Sequence, residues 1–140
     1  MLSPVVQQEA TGCGIAIVAT ILGKSYPEMK AIANASGIHA EDESLWSDTG
    51  YVRRLLTGAG VQVATETKPF ESWDTLPDLA LLPIKHHQRD GREFWHWTVF
   101  QRVRGEAFVL DPASYLPSNI RQDFAQMHPQ WFITVGRSQA

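Results

Sequence analysis

Apolar residues follow two different rhythms along the chain, and the change between them comes near residue 60. In the first part they recur at helical spacing. Cys13 leads into Gly14-Ile-Ala-Ile-Val-Ala-Thr-Ile-Leu22, apolar on every side, which predicts a buried helix that Gly23 stops. Ser25 and Glu28 stand at capping-box spacing with Pro27 in the first turn, and so open a second helix to about Ala35. Ser47 or Asp48 is placed to cap a third helix through Tyr51-Val-Arg-Arg-Leu-Leu56, ending at Gly58 or Gly60. Beyond that point the rhythm shortens to two. Val61-Gln-Val-Ala-Thr65 alternates, and a short helical turn is predicted between Pro69 and Pro77, around Glu71 to Leu76. Leu79 to Lys85 is a compact apolar run in which Pro83 calls for an edge or a bulge. Phe94 to Arg104 and Glu106 to Leu110 read as a hairpin turned at Arg104-Gly105-Glu106, and Gln130 to Val135 as a last strand. Helices first and antiparallel strands second predict an α+β architecture, with the helices packed on a C-terminal sheet.

Composition narrows the function classes. A chain of 140 residues without repeats or linkers is expected to form one domain, 1–140, with 44% hydrophobic and 19% charged residues. A formal net charge of -3 argues against nucleic acid and anionic membrane as partners. The longest apolar run, Ile15 to Leu22, falls far short of the ~18 residues that cross a bilayer. Met1 to Ala10 carries no Lys or Arg and so lacks the layout of a secretory signal, which makes a cytoplasmic location the expectation. No glycine-rich dinucleotide or phosphate loop is present, so no cofactor is expected. A single cysteine excludes an intrachain disulfide and a multi-thiolate zinc site. His86 and His87, adjacent in sequence, would point to opposite faces of a strand, so no metal site is expected from them with His96.

Cys13 therefore stands alone, between two glycines at the start of the first helix. Partial positive charge at a helix N-terminus favours a thiolate, the nucleophilic form, and flanking glycines let a substrate carbonyl come close. A thiolate nucleophile needs a base. His39 and His128 lie in polar loops, and His86 and His87 flank the loop Gln88 to Arg92, where exposed histidines are ordinary. His96 lies instead within Phe94-Trp-His-Trp-Thr-Val-Phe100, and an imidazole in so apolar a segment needs a partner. Asp111 ends the next predicted strand, close enough across the hairpin to orient that imidazole. The Asp111-Pro112 pair equally suits a plain turn. An oxyanion would need donors: the Cys13 N–H is one, and either Gln7 or Gln8 has the right chemistry for the other.

In this order the residues resemble the C39 family of papain-like cysteine peptidases, the bacteriocin-processing domains that trim leader peptides. The opening Gln7-Gln8-Glu9-Ala10-Thr11-Gly12-Cys13-Gly14-Ile15-Ala16 is similar to the family's glutamine, glutamate and Cys-Gly. Asp48-Thr49 with the helix that follows, His96-Trp-Thr-Val-Phe100 and Val109-Leu110-Asp111-Pro112-Ala113 match the later segments, so the likeness runs from about Gln7 to Val135. The resemblance implies a papain-like fold and Cys-His-Asp chemistry: Cys13 as nucleophile, His96 as base, Asp111 orienting it, and Gln7 rather than Gln8 at the oxyanion. It also implies a peptide or protein substrate, with cleavage after Gly-Gly as the family expectation. Familiar members are joined to transporter and nucleotide-binding domains; this sequence contains neither, and a free-standing member is expected. Gly12 departs from the acidic residue that many relatives carry there, and His86 to Trp95 is long and charged. A peptide-binding relative without catalysis, and a thiol acyltransferase using the same residues, are the alternatives.

Overall fold

The computed structural model describes residues 1–138, which form three α-helices followed by an antiparallel sheet. Helix α1, Cys13–Leu22, is buried from Gly14 to Thr20, as its all-round apolar sequence requires, and ends where Gly23 takes a left-handed φ of 69°. Helix α2, Tyr26–Ala35, starts at the capping box, with Glu28 N–H on Ser25 Oγ and Ser25 N–H on Glu28 Oε1, both at 3.2 Å. Helix α3 spans Gly50–Gly58. Its N-cap is Thr49, one residue past the expected pair, because Asp48 accepts the Gly50 N–H at 2.9 Å and closes a turn just before the helix.

The sheet runs in the order β1-β7-β3-β4-β5-β6, with β1 Val61–Val63, β3 Leu79–Arg89, β4 Arg92–Val103, β5 Glu106–Leu110, β6 Ile120–Arg121 and β7 Trp131–Ser138; β2, Lys68–Pro69, pairs with β7. Strand β3 is internal, between β4 and β7. Pro83 is tolerated because pairing to β7 is registered at Ala80 and Leu81, before the proline, and a bulge follows between Ile84 and His87. One expectation is corrected. Gln88 to Arg92 is not a loop: β3 and β4 continue to a two-residue turn at Asp90-Gly91, with φ of 52° and 78°. Arg104-Gly105 makes a matching turn with φ of 53° and 83°. Positive φ at both positions suits the right-handed twist of the flanking strands, and Asp-Gly supplies it readily.

Alternation along the strands divides two cores. Leu81, Trp97, Val99, Leu110 and Ile133 pack with the helices, while Leu82, Phe100, Val109 and Phe132 build a smaller cluster with Leu76 and Met127. Among the described residues, no helix is long and apolar enough to cross a membrane.

The start of α1 is fixed by close contact. A Cβ on Gly12 would lie 2.1 Å from Tyr26 Oη, and one on Gly14 would lie 2.0 Å from Tyr51 Oη. Two tyrosines thus rest on the backbone on either side of Cys13. Gly14→Ala is expected to destabilise the fold by about 1–3 kcal/mol through overpacking. In a Tyr51→Ala background the same substitution should cost clearly less, which a double-mutant cycle of denaturant unfolding would measure.

Candidate active site

Cys13 opens α1, where the first N–H groups have no acceptor within the helix. The chain before it is tied down from two directions. Gln7 N–H donates to the Pro112 carbonyl at 2.9 Å, and Tyr26 Oη donates to Glu9 Oε1 at 2.6 Å, with Lys30 on Glu9 Oε2 at 3.1 Å. Cys13 itself remains partly accessible.

His96 reaches the site from β4. Strands β4 and β5 pair Val99 with Leu110, so one further step sets Asp111 opposite Thr98, and His96 becomes its diagonal neighbour on the same face. The distance agrees: His96 Nε2 and Asp111 Oδ1 are 2.6 Å apart. That contact leaves Nδ1 as the ring nitrogen open to the thiol. Cys13 and His96 line one cleft of about 540 Å³, together with Tyr51, Trp97, Trp46 and Arg92. Burial pushes the imidazole pKa down, but the Asp111 hydrogen bond and the adjoining Cys13 sulfur outweigh it, and the pKa is raised to about 9.

The Asp111 carboxylate is 0% exposed. Burial alone would raise its pKa; the His96 contact, the Ala113 N–H at 3.0 Å and Arg121 Nη1 on Oδ2 at 2.8 Å together hold it below the usual carboxylate value. Asn119 secures the backbone behind it, donating Nδ2 to the Asp111 and Ala113 carbonyls at 2.7 and 2.9 Å and accepting the Asp111 N–H at 2.8 Å. The Asp-Pro turn is therefore also the anchor of the carboxylate.

Of the two glutamines, Gln8 is exposed and Gln7 is buried, at 8% exposure. The Gln7 amide is engaged within its own loop. Its Nε2 donates to the Glu9 and Ala10 carbonyls at 2.9 and 3.0 Å, and its Oε1 is buried without a partner. In this arrangement Gln7 braces the loop that carries Cys13. Among the other histidines, His39 and His128 are exposed. The His86 side chain is 4% exposed rather than free in a loop, because its Nε2 lies 3.1 Å from the Pro83 carbonyl and its Nδ1 3.2 Å from Glu93. His87 is exposed and stacks on Phe94.

No protein-family model matches the sequence, and no curated protein matches it. Solved structures do. The peptidase domain of Streptococcus ComA, a bifunctional ABC transporter involved in quorum sensing, superposes with a TM-score of 0.65 at 11% identity, covering 99% of this chain and 100% of that one. A double-glycine-motif protease from an AMS/PCAT transporter, solved in complex with its leader peptide, gives 0.63 at 16% identity over 96% and 91% of the two chains. The chain has the C39 peptidase fold. Within that papain-like fold the thiol stands on the helical side of the cleft and the imidazole on the sheet side.

Several residues at the site had no local signature. Arg121 and Asn119 converge on Asp111 only through the pairing of β6 with β5. Tyr26 and Tyr51 read as ordinary helix residues. Arg92 spans from the long hairpin to the segment before α3, donating Nη2 to the Glu43 carbonyl at 2.8 Å and to Ser47 Oγ at 2.7 Å. It links the sheet side of the cleft to the helical side.

The His96 shift carries a stability consequence. A folded pKa above the ordinary 6.5 contributes stability that is fully present below pH 6.5 and is lost as pH rises through about 9. Ring-proton NMR is expected to place the His96 midpoint near 9, and lower in Cys13→Ala and in Asp111→Asn. Arg92→Ala is expected to speed alkylation of Cys13 by a bulky maleimide several-fold while leaving the small reagent iodoacetamide nearly unaffected. Labelling followed by mass spectrometry would read the ratio.

Proposed function

We propose that the chain is a cysteine peptidase or amidase working through Cys13, His96 and Asp111. The observation that carries this reading is the His96 ring, held between a buried carboxylate on Nε2 and a thiol in the same cleft. A thiol hydrolase needs that sequence of contacts. With a pKa of about 9, His96 holds the thiol's proton as an imidazolium near neutral pH; the Cys13 thiolate bonds to the substrate carbonyl carbon, and His96 gives that proton to the departing amine. Water then attacks the thioester with His96 as base and frees Cys13. Asp111 keeps the imidazole oriented and balances its charge throughout.

The developing oxyanion meets the free N–H of Cys13 at the start of α1, where the helix dipole also favours negative charge. Gln7 becomes the second donor by releasing the Glu9 and Ala10 carbonyls when substrate enters. The likeness to a protease that acts on double-glycine motifs and binds a leader peptide supports a peptide substrate with Gly-Gly before the scissile bond.

A panel of peptides with and without Gly-Gly before the cleaved bond tests the reading by mass spectrometry. Wild type is expected to cleave the Gly-Gly peptides, Cys13→Ala to lose all turnover, and His96→Ala to lose about 100- to 10,000-fold in kcat/KM. Turnover surviving in folded Cys13→Ala would move the chemistry to another group.

A further inference from the structure

The His96 contact occupies one oxygen of Asp111; the other belongs to Arg121. Oδ1 takes His96 Nε2 at 2.6 Å and the Ala113 N–H at 3.0 Å, while Oδ2 takes Arg121 Nη1 at 2.8 Å. Arg121 is not loosely placed. Its Nε and Nη2 bind Asp123 Oδ1 and Oδ2 at 2.9 and 2.7 Å, a two-point fork that fixes the guanidinium plane and aims Nη1 at Asp111. Its side chain is 14% exposed, and β6, which carries it, pairs Arg121 with Val109, two residues before Asp111.

A buried carboxylate with one free oxygen can rotate about its last bond or take up a proton, and either change releases the imidazole. A cation on Oδ2 opposes both. It fixes the rotation, and it keeps the group charged where water is excluded. Asp123 is half exposed and gains little from a surface ion pair alone. The fork makes physical sense as the support of Nη1.

We infer that Arg121 is a positioning residue: steadied by Asp123, it holds the second oxygen of Asp111 so that the first meets His96 Nε2. The role in turnover rests on the peptidase reading above; the geometric role does not. It differs from a surface tie in its consequence, because removing Arg121 alters the His96–Asp111 bond itself.

The experiment reads that bond directly. A ring N–H held at 2.6 Å by a carboxylate gives a far-downfield proton NMR signal, assigned to His96 by its loss in His96→Gln. In folded Arg121→Met the signal is expected to move upfield or broaden away, and Arg121→Lys is expected to retain it. The turnover arm expects kcat to fall about 10- to 100-fold in Arg121→Met, as for other outer-shell partners, with KM little changed and Lys restoring most of the loss. An unchanged downfield signal in folded Arg121→Met overturns the inference. If that variant does not fold, Arg121→Gln, which retains a neutral donor arm, replaces it: a displaced signal supports the inference and an unchanged one overturns it. Wild-type protein without peptide turnover would instead count against the peptidase reading and leave the NMR result to stand by itself.

Discussion

Asp111 carries a charge into a place with no solvent, and much of the site is arranged around that fact. An ionised carboxylate at 0% exposure is strongly destabilising unless other groups replace its water. Here three do so: an imidazole from β4, a backbone N–H from the turn after β5, and a guanidinium from β6. Each comes from a different stretch of chain, so satisfying the charge ties β4, the turn after β5 and β6 together. The same turn accepts the Gln7 N–H through the Pro112 carbonyl, which brings the segment preceding Cys13 to the sheet. The carboxylate is therefore both the electrostatic centre of the site and the knot that draws helical and sheet sides into one cleft.

On the helical side the constraint is steric. Tyr26 and Tyr51 lie against Gly12 and Gly14, closer than any side chain there would permit. Burial raises both phenols above their ordinary pKa, so they remain neutral hydroxyls beside the thiol. Gly12 is thus held by packing, and the acid upstream of it, Glu9, is bound to Tyr26 and Lys30. Cys13 is left partly accessible between two closely packed glycines. That is a favourable setting for a nucleophile, whose position must be held while its sulfur stays open.

What could be read from sequence follows the range of the interaction concerned. The α1 run, the Ser25–Glu28 box and the β4–β5 hairpin are set by residues a few positions apart, and each leaves a pattern. His96 and Asp111 were legible because a hairpin converts a sequence gap into a register. The Asp90-Gly91 turn carries a hairpin signature, but the flanking residues His86 to Glu93 are polar on both faces and hide the alternation that would mark them as strand. β2 and β6, two residues each, are too short to show any period. Arg121 and Asn119 act through strand pairing, and nothing in their own neighbourhood distinguishes them from surface residues. The bonds that Gln7 Nε2 makes to the Glu9 and Ala10 carbonyls were not legible, since the direction of a side-chain amide depends on which carbonyls the folded loop presents.

A shared fold does not carry an activity with it, least of all at 11% and 16% identity, so catalysis and simple peptide binding must be separated at the site. A cleft that only binds peptides needs shape, apolar walls and a few backbone contacts, and Trp46, Tyr51 and Trp97 with Arg92 would supply them. It has no use for a buried charge. Keeping Asp111 ionised requires Arg121 and the Ala113 N–H, and truncating one partner of such a group is strongly destabilising. An apolar residue of similar size at 111 would relieve the burial without altering the cleft walls. The arrangement becomes economical once His96 has to gain and lose a proton beside a thiol, because only then does a fixed carboxylate behind the imidazole change what the front of the ring can do.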